Sequence, residues 1–492
     1  MHKITIYFLP APYLTAKNIC FANIMFIKHN NQEAKLRLTF INRKKEIEKI
    51  DQALKRDEQV FILVYGRRRC GKSRLLQHVV SENDIYYVAD QQERVNQISS
   101  VASEIARKIP GFDLVSYPSW ESLFLNLNAR AKRICLILDE FPYLVQSSKE
   151  LPSVIQNLVD NIQFKINLII CGSSQRMMQG LVLNSNAPLY GRATEIIKIR
   201  PLEPAWITDA LDLNDTKAIE AYSVWGGVPR YWELAKNYES MEEAIKNLIL
   251  DRDGILHGEP VRLLLDDVQR ANQVHSLLSI IANGCNRLSK IATRIEKPAS
   301  SLTRPLSNLI DLGYIKRELP FGENIKSTKR TLYKLIDPFL MFWYKFIQKN
   351  QSILELGFND EVYNEISNHF SYHVAEVWEE IARNSVVFLK ILNIQWKPGQ
   401  RWWGKGLDGN EMEIDIIAES FDGKHLLFGE VKWENSVNIK SVAAKLKKNI
   451  KNFPKLGNRK VVTAFWLKQF DKKLFPDKTI ILPEDVLKLK GN

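Results

Sequence analysis

The sequence predicts an α/β protein: a parallel sheet covered by helices on both faces, followed by helical segments and a second, smaller α/β unit. Three observations predict it. Short apolar runs alternate with helix-length segments from Phe40 to about Arg200, the pattern of a buried parallel sheet. One of those runs ends in a glycine-bounded loop that opens a helix. Beyond Tyr372 the pattern changes to one long helix and then strands at Met412 to Ala418, Leu426 to Trp433 and Val461 to Leu467, read from their apolar runs.

The first strand, Phe61-Ile62-Leu63-Val64, leads into Gly66-Arg67-Arg68-Arg69-Cys70-Gly71-Lys72-Ser73, and Arg74 to Val80 reads as the helix behind it. A G-x4-G-K-S spacing between strand and helix gathers backbone N–H groups and a helix N-terminus at one point, where they hold phosphate. Gly66 through Arg74 is therefore the expected cradle for ATP. Lys72 is expected to reach the β- and γ-phosphates and the Ser73 hydroxyl to ligate Mg²⁺.

The next strands are Ile85 to Ala89, Ile134 to Leu138, Ile166 to Cys171 and Glu195 to Ile199. Ligands of parallel sheets gather at the carboxyl ends of strands, so Asp139 and Glu140 should face the loop. Asp139 is expected in the Mg²⁺ shell, and Glu140 is expected to orient or deprotonate the attacking water. Ser173 and Ser174 close the following strand. Ser173 is placed to sense the γ-phosphate, and either serine serves equally as a helix cap. Arg192, in Tyr190-Gly191-Arg192, is a candidate to steady phosphate charge, within the chain or from a neighbouring subunit of a homo-oligomer.

Residues from about Pro201 to Arg270 are helical in pattern and break sharply at Trp225-Gly226-Gly227-Val228-Pro229. Val274 to Leu335 reads as a winged helix: three short helices (Val274 to Ala282, Leu288 to Ile295, Ser300 to Leu312), then strands Tyr314 to Leu319 and Thr331 to Ile336 around a polar wing with Gly322. Its third helix would read DNA through Ser300, Ser301, Thr303 and Arg304, and the same fold serves equally as a packing module. Pro338 to Lys349 carries Phe339, Phe342, Trp343 and Phe346 and reads as core.

The second unit carries its own chemistry. Residues two apart on a strand share a face, so Glu413 and Asp415 point one way while Ile414 and Ile416 enter a core. Glu430 and Lys432 share a face on the next strand. A hairpin would bring Asp415, Glu430 and Lys432 together: two carboxylates for a second Mg²⁺ or Mn²⁺, with an ammonium beside them to position water or stabilise phosphate charge. A solvated amphipathic hairpin has the same pattern.

The chain has 492 residues, 45% hydrophobic and 25% charged, which excludes an intrinsically disordered chain and suggests roughly three domains. Cys20, Cys70, Cys135, Cys171 and Cys285 form no C-x-x-C pair, so neither a disulfide framework nor a zinc site is indicated, as in a reducing cytoplasm. The net charge is +13, and from Lys432 onward 15 Lys and Arg stand against 5 Asp and Glu, a surplus of +10. Such a tail, including Lys445, Lys447, Lys448 and Lys451, is the footprint of a DNA partner, and equally of a lysine-rich surface. Ile4 to Leu14 is broken by Pro10 and Pro12, and Ile19 to Ile27 is too short to span a bilayer. The first 38 residues are read as a poorly ordered extension, with Met25 as an alternative start, and no membrane partner is expected.

Phe40-Ile41-Asn42-Arg43-Lys44-Lys45-Glu46, the Gly66 to Ser73 loop, Leu138-Asp139-Glu140-Phe141, Cys171-Gly172-Ser173-Ser174, Leu189-Tyr190-Gly191-Arg192 and Gly226-Gly227-Val228-Pro229 follow one another as in the AAA-like/STAND ATPases first grouped as archaeal ATPases (DEXX-box type). The chain resembles that family from about Phe40 to its C-terminus. The resemblance implies a P-loop NTPase sheet with a helical lid, Gly226 to Pro229 near the nucleotide, and a role as a switch in many members. Asn42 stands where glycine is usual. The second unit resembles the PD-(D/E)xK nuclease core of the restriction-endonuclease-like fold, with Asp415, Glu430 and Lys432 as its motif and Glu379 as the helical acid some members add to the metal site. The Pro-Asp dipeptide is absent.

The expected organisation is an extension (1–38), ATPase core (39–200), helical lid (201–272), winged helix (273–337), helical linker (338–371) and nuclease-like domain (372–492). The function expected is a cytoplasmic ATPase whose nucleotide state controls a C-terminal metal-dependent DNA nuclease. The alternatives are a STAND-type regulator binding nucleic acid or protein without cutting, and an ATP-driven DNA remodeller whose last domain is a clamp.

Overall fold

Six consecutive buried residues, Phe61–Gly66, form β1, and a strand with no exposed face must lie inside a sheet covered on both sides. In the computed structural model, which describes residues 40–131, 134–161, 163–182, 186–268, 271–324, 328, 330–475 and 479–490, that sheet has the order β2-β3-β4-β1-β5. Its other strands are β2 (Ile85–Val88), β3 (Cys135–Asp139), β4 (Asn167–Gly172) and β5 (Glu195–Ile199), and every pairing is parallel. The expected strands are all present. The expected extension at 1–38 lies outside the described residues.

Alternate residues of the strands, among them Phe61, Leu63, Leu136, Leu138, Leu168 and Ile170, pack with Trp120, Phe124 and Leu127 in one apolar core. Helices Lys44–Leu54 and Lys72–Val79 pack against β5 and β1. All strands run the same way, so the ends of β1 and β3 emerge on one edge, as ligand chemistry in such sheets requires.

Helices Ala271–Ala282, Leu288–Ile295 and Ala299–Asp311 precede an antiparallel pair, β6 (Ile315–Glu318) and β7 (Leu332–Leu335). Asp337 then caps the aromatic segment beginning at Pro338, accepting from Phe339 N–H at 2.7 Å. Phe339, Phe342, Trp343 and Phe346 are buried, which makes this segment core.

The last unit holds a mixed sheet of order β12-β11-β10-β9-β8: β8 (Gln400–Lys405), β9 (Glu411–Glu419), β10 (His425–Lys432), β11 (Lys460–Leu467) and β12 (Thr479–Ile481). Strands β8, β9 and β10 are antiparallel neighbours. Helix Ile439–Lys451 then carries the chain across to β11, parallel to β10. Gly429 is required here, because a Cβ would lie 2.6 Å from the Trp466 ring and 2.9 Å from Ile416. The long helix runs from Asn359 to Ser385, so the boundary expected at residue 371 falls inside a continuous helix.

This unit is docked rather than tethered. His373 Nε2 lies 2.8 Å from the Ser223 carbonyl, Lys468 pairs with Glu220 at 3.3 Å and Lys490 with Asp209 at 2.6 Å. Phe321 lies against the edge strand β8, its N–H donating to the Arg401 carbonyl at 2.9 Å, and Lys455 Nζ donates to the Gly322 carbonyl beside it at 2.9 Å. Covering an exposed strand edge prevents it from pairing with another chain.

Candidate functional site

The loop after β1 is built by two glycines with different reasons. At Gly66 a Cβ would sit 2.2 Å from the Ile199 carbonyl oxygen, so the close approach of β5 excludes any side chain. At Gly71 space is open but φ is 91°, a left-handed conformation that turns the chain into its helix. Arg43 braces the loop from outside, donating to the Cys70 carbonyl at 3.1 Å and the Arg200 carbonyl at 2.7 Å. Asn42 has φ 58°. The position usually glycine is thus a left-handed turn, which asparagine tolerates better than most residues.

Lys72 is buried, and its ammonium turns back over the loop to donate to the Gly66 carbonyl at 2.9 Å and the Arg67 carbonyl at 3.1 Å. The loop arginines diverge. Arg68 is exposed. Arg67 is buried and ion-paired with Asp337, and also donates to the Tyr231 hydroxyl at 3.4 Å. Arg69 pairs with Glu259 at 3.1 Å, which also accepts from Tyr231 at 3.0 Å. Arg74 pairs with Glu233 at 2.6 Å. The side chains of Arg67, Arg69 and Arg74 therefore tie the loop to residues outside it, and the groups left to meet a phosphate include the backbone and Lys72. Gly226 lies on the same network: a Cβ there would meet Asp337 Oδ1 at 3.0 Å.

Asp139 is 1% exposed at the end of β3. Its Oδ1 accepts from Glu140 N–H at 2.9 Å and its Oδ2 from the Tyr86 hydroxyl at 2.7 Å. Burial, and then the Asp139 charge, push the Tyr86 phenol far above its ordinary range, while a hydrogen bond from Ser73 pulls the other way. Tyr86 and Asp139 are thus directly joined at the end of β3. Glu140 stands at φ 51°, ψ 40°, a strained setting for a non-glycine residue that concentrates at functional sites. The Ser173 hydroxyl donates to Glu140 Oε1 at 2.6 Å. Ser174 does the capping instead, accepting from Met177 N–H at 3.4 Å.

Arg192 is not part of this arrangement. It pairs with Asp160 at 2.9 Å and precedes β5, whose first residue lies opposite Ile62 near the start of β1. That is the sheet edge opposite the loop, so the expectation of phosphate contact within the chain fails on topology.

The second cluster does assemble. The β9–β10 register sets Ile416 opposite Gly429, which brings Asp415 beside Glu430. Asp415 Oδ2 accepts from Val431 N–H at 2.9 Å. Lys432 Nζ lies 2.9 Å from Glu430 Oε1 and 4.0 Å from Asp415 Oδ2. Arg383 reaches in from the long helix, donating to the Asp415 carbonyl at 3.2 Å and standing 3.6 Å from Glu379. Burial first, and then Asp415, raise both Glu430 and Glu379 above the usual carboxylate range. Burial lowers Lys432, but Glu430 and Asp415 outweigh it and the net shift is upward. Glu413 instead pairs with Arg401 at the surface.

The residues fit their expected ligands unequally. Around the loop, buried Lys72 and Asp139 and half-buried Ser73 give a compact ammonium, carboxylate and hydroxyl, which suits a magnesium nucleotide. Among the described residues no three His, Cys, Asp or Glu side chains are grouped to hold a metal ion. The second cluster therefore offers a carboxylate pair with an ammonium already seated on it. Tyr86, Asp337, Tyr231 and Glu259 escaped sequence reasoning because each meets the loop only through the fold.

This fold and this loop define an ATPase of the phosphate-loop class. Residues 40–235 match the model of an ATPase domain found predominantly in Archaea, and residues 343–448 match a model of archaeal and bacterial proteins of unknown function. The chain is 31% identical over 405 residues to the uncharacterized protein MJECL04 of Methanocaldococcus jannaschii, covering 80% of this chain and 88% of that one. A second uncharacterized protein of that organism, MJ1637, is 25% identical over 295 residues, 59% of this chain and 57% of that one. The Walker-type ATPase PABY2304 of Pyrococcus abyssi superposes with a TM-score of 0.50 at 20% identity, over 62% of this chain and 96% of that one, a likeness of fold. The chain belongs to the archaeal ATPase family. No helix among the described residues is long and apolar enough to cross a membrane.

Proposed function

We propose that this protein is a STAND-like, ATP-hydrolysing switch whose nucleotide state governs a metal-dependent, nuclease-like domain acting on DNA. In this reading residues 39–200 are the ATPase core, 201–272 the lid, 273–337 a winged helix, and the nuclease-like domain begins with the helix that carries Glu379. Backbone amides of Gly66 to Ser73 and the Lys72 ammonium hold the triphosphate. Ser73 and Asp139 hold magnesium, which when bound neutralises phosphate charge. Glu140, steadied by Ser173, takes the proton of the attacking water.

The observation that carries the nuclease half is the meeting of Asp415, Glu430 and Lys432 on adjacent strands, 2.9 Å and 4.0 Å from the ammonium to the two carboxylates. Around them the chain runs from the long helix through three antiparallel strands and a crossover helix to a strand parallel to β10. In this role Lys432 stabilises charge on the scissile phosphate, the carboxylate pair with Glu379 nearby holds Mg²⁺ or Mn²⁺, and basic residues of Ile439–Lys451 grip the backbone. The test is cleavage of DNA with Mg²⁺ or Mn²⁺, with and without ATP. Lys432→Ala is expected to abolish cutting while leaving ATP hydrolysis within about twofold, since the two sites are separate. Wild-type protein that never nicks DNA under any metal or nucleotide condition contradicts it.

A second reading is a regulator that binds nucleic acid or a protein partner without cutting. It is favoured by the Lys432 ammonium being seated on Glu430 and by the lack of a three-carboxylate group among the described residues.

A further inference from the structure

We propose that Tyr86 gates the metal of the nucleotide site: its phenol is seated on Asp139 and must leave before that carboxylate can hold a divalent cation together with Ser73. The inference rests on reading the loop as a nucleotide site.

Tyr86 lies on β2 opposite Ile137 of β3, two residues short of Asp139, so its hydroxyl meets the end of the neighbouring strand. That hydroxyl donates to Asp139 Oδ2 at 2.7 Å. A phenol has one proton to give. Given to Asp139, it occupies that carboxylate oxygen.

Asp139 gains as much from the arrangement. It is 1% exposed, its Oδ1 already takes the Glu140 N–H, and without Tyr86 its second oxygen would lose the 2.7 Å hydrogen bond that serves its buried charge, which is costly. The phenol thus does for Asp139 what a cation or its bound water would do. Both cannot occupy the same lone-pair direction. Tyr86 is only partly buried, so its ring is not enclosed on every side. The loop amides and Lys72 lie outside this exchange, so nucleotide without metal should bind regardless of Tyr86.

The experiment is calorimetric titration of ADP into the full-length chain, in EDTA and across a series of MgCl₂ concentrations, for wild type and Tyr86→Phe. In EDTA the two proteins should bind alike. The Mg²⁺ concentration that half-saturates the tightening of ADP binding should fall on the order of tenfold in Tyr86→Phe, because a charge-assisted hydrogen bond no longer competes. Tyr86→Leu carries the same expectation and replaces the phenylalanine variant if that one melts low. An unchanged or raised Mg²⁺ requirement, with ADP binding in EDTA intact, overturns the gate alone. No ADP binding by wild type in either condition overturns the nucleotide reading and the gate together.

Discussion

Arg67 and Lys72 stand in one short loop but meet different partners, and the contrast shows what each does. Lys72 folds over the loop carbonyls, where phosphate is expected. Arg67 is buried against Asp337, some 270 residues away. Removing one member of a buried pair strands the other charge, at about 3–5 kcal/mol. Asp337→Asn keeps the amide oxygen that caps Phe339 but not the charge, so its urea unfolding midpoint should drop by an amount equivalent to roughly 3 kcal/mol. An unchanged midpoint would show the pair to be inconsequential. Lys72 was legible in the sequence because strand, glycines, lysine and serine are contiguous. Asp139 and Glu140 were legible because an apolar run ends on them. Tyr86 and Asp337 were not, since nothing near either residue records what the fold sets beside it. Arg192 misled for the complementary reason: its motif is local, but only the sheet's direction decides which edge it reaches.

At the scale of elements, the segment between β6 and β7 and the helix Asn359–Ser385 join the last sheet to the rest. Lys316 of β6 reaches Glu380 of that helix at 2.5 Å, and Lys334 of β7 pairs with Glu318 at 3.2 Å. Burial pushes Glu380 up, but Lys316 and Arg383 bring it down to about 2. His373, on the same helix, is 1% exposed among Phe342, Phe346 and Phe370. Burial, helped by Lys345, lowers it to about 3. An unfolded histidine takes its proton near pH 6.5, so between about 6.5 and 3 the unfolded chain binds one more proton than the folded one. Stability from this group is whole above pH 6.5 and lost as pH falls, by about 1.4 kcal/mol per pH unit. Denaturant unfolding followed from pH 7 to pH 5 should show that slope, and His373→Gln should flatten it by one proton's worth. Equal slopes in the two proteins would contradict the assignment. The helices and strands β9 to β11 were legible from periodicity. The edge strand β8 was not, because Gln400-Arg401-Trp402-Trp403-Gly404-Lys405 neither alternates nor runs apolar. The start of the long helix was missed because its polar first turns, Asn359 to Asn364, carry little apolar signal.

For the whole molecule, a connected set of contacts runs from the phosphate loop to the second acidic cluster. Arg67 meets Asp337, which caps the aromatic segment beyond β7, and the β6–β7 pair meets the helix bearing Glu379. A change in the loop on nucleotide binding has Asp337 among its buried partners outside the first sheet, with Tyr231 and Glu259. That path supports the proposed coupling and gives Arg67, rather than a nucleotide contact, its reason for being charged. Family membership agrees with the sheet and loop, and the nuclease-like reading stands on its own carboxylates and lysine.

The measurement that bears most directly on all of this is calorimetry of ATP with magnesium against the folded, full-length protein and its Lys72→Ala variant. One nucleotide per chain should bind to wild type and none measurably to the variant, with the two melting within a few degrees of each other. No heat of binding from folded wild-type protein, or equal binding by both, would contradict the account.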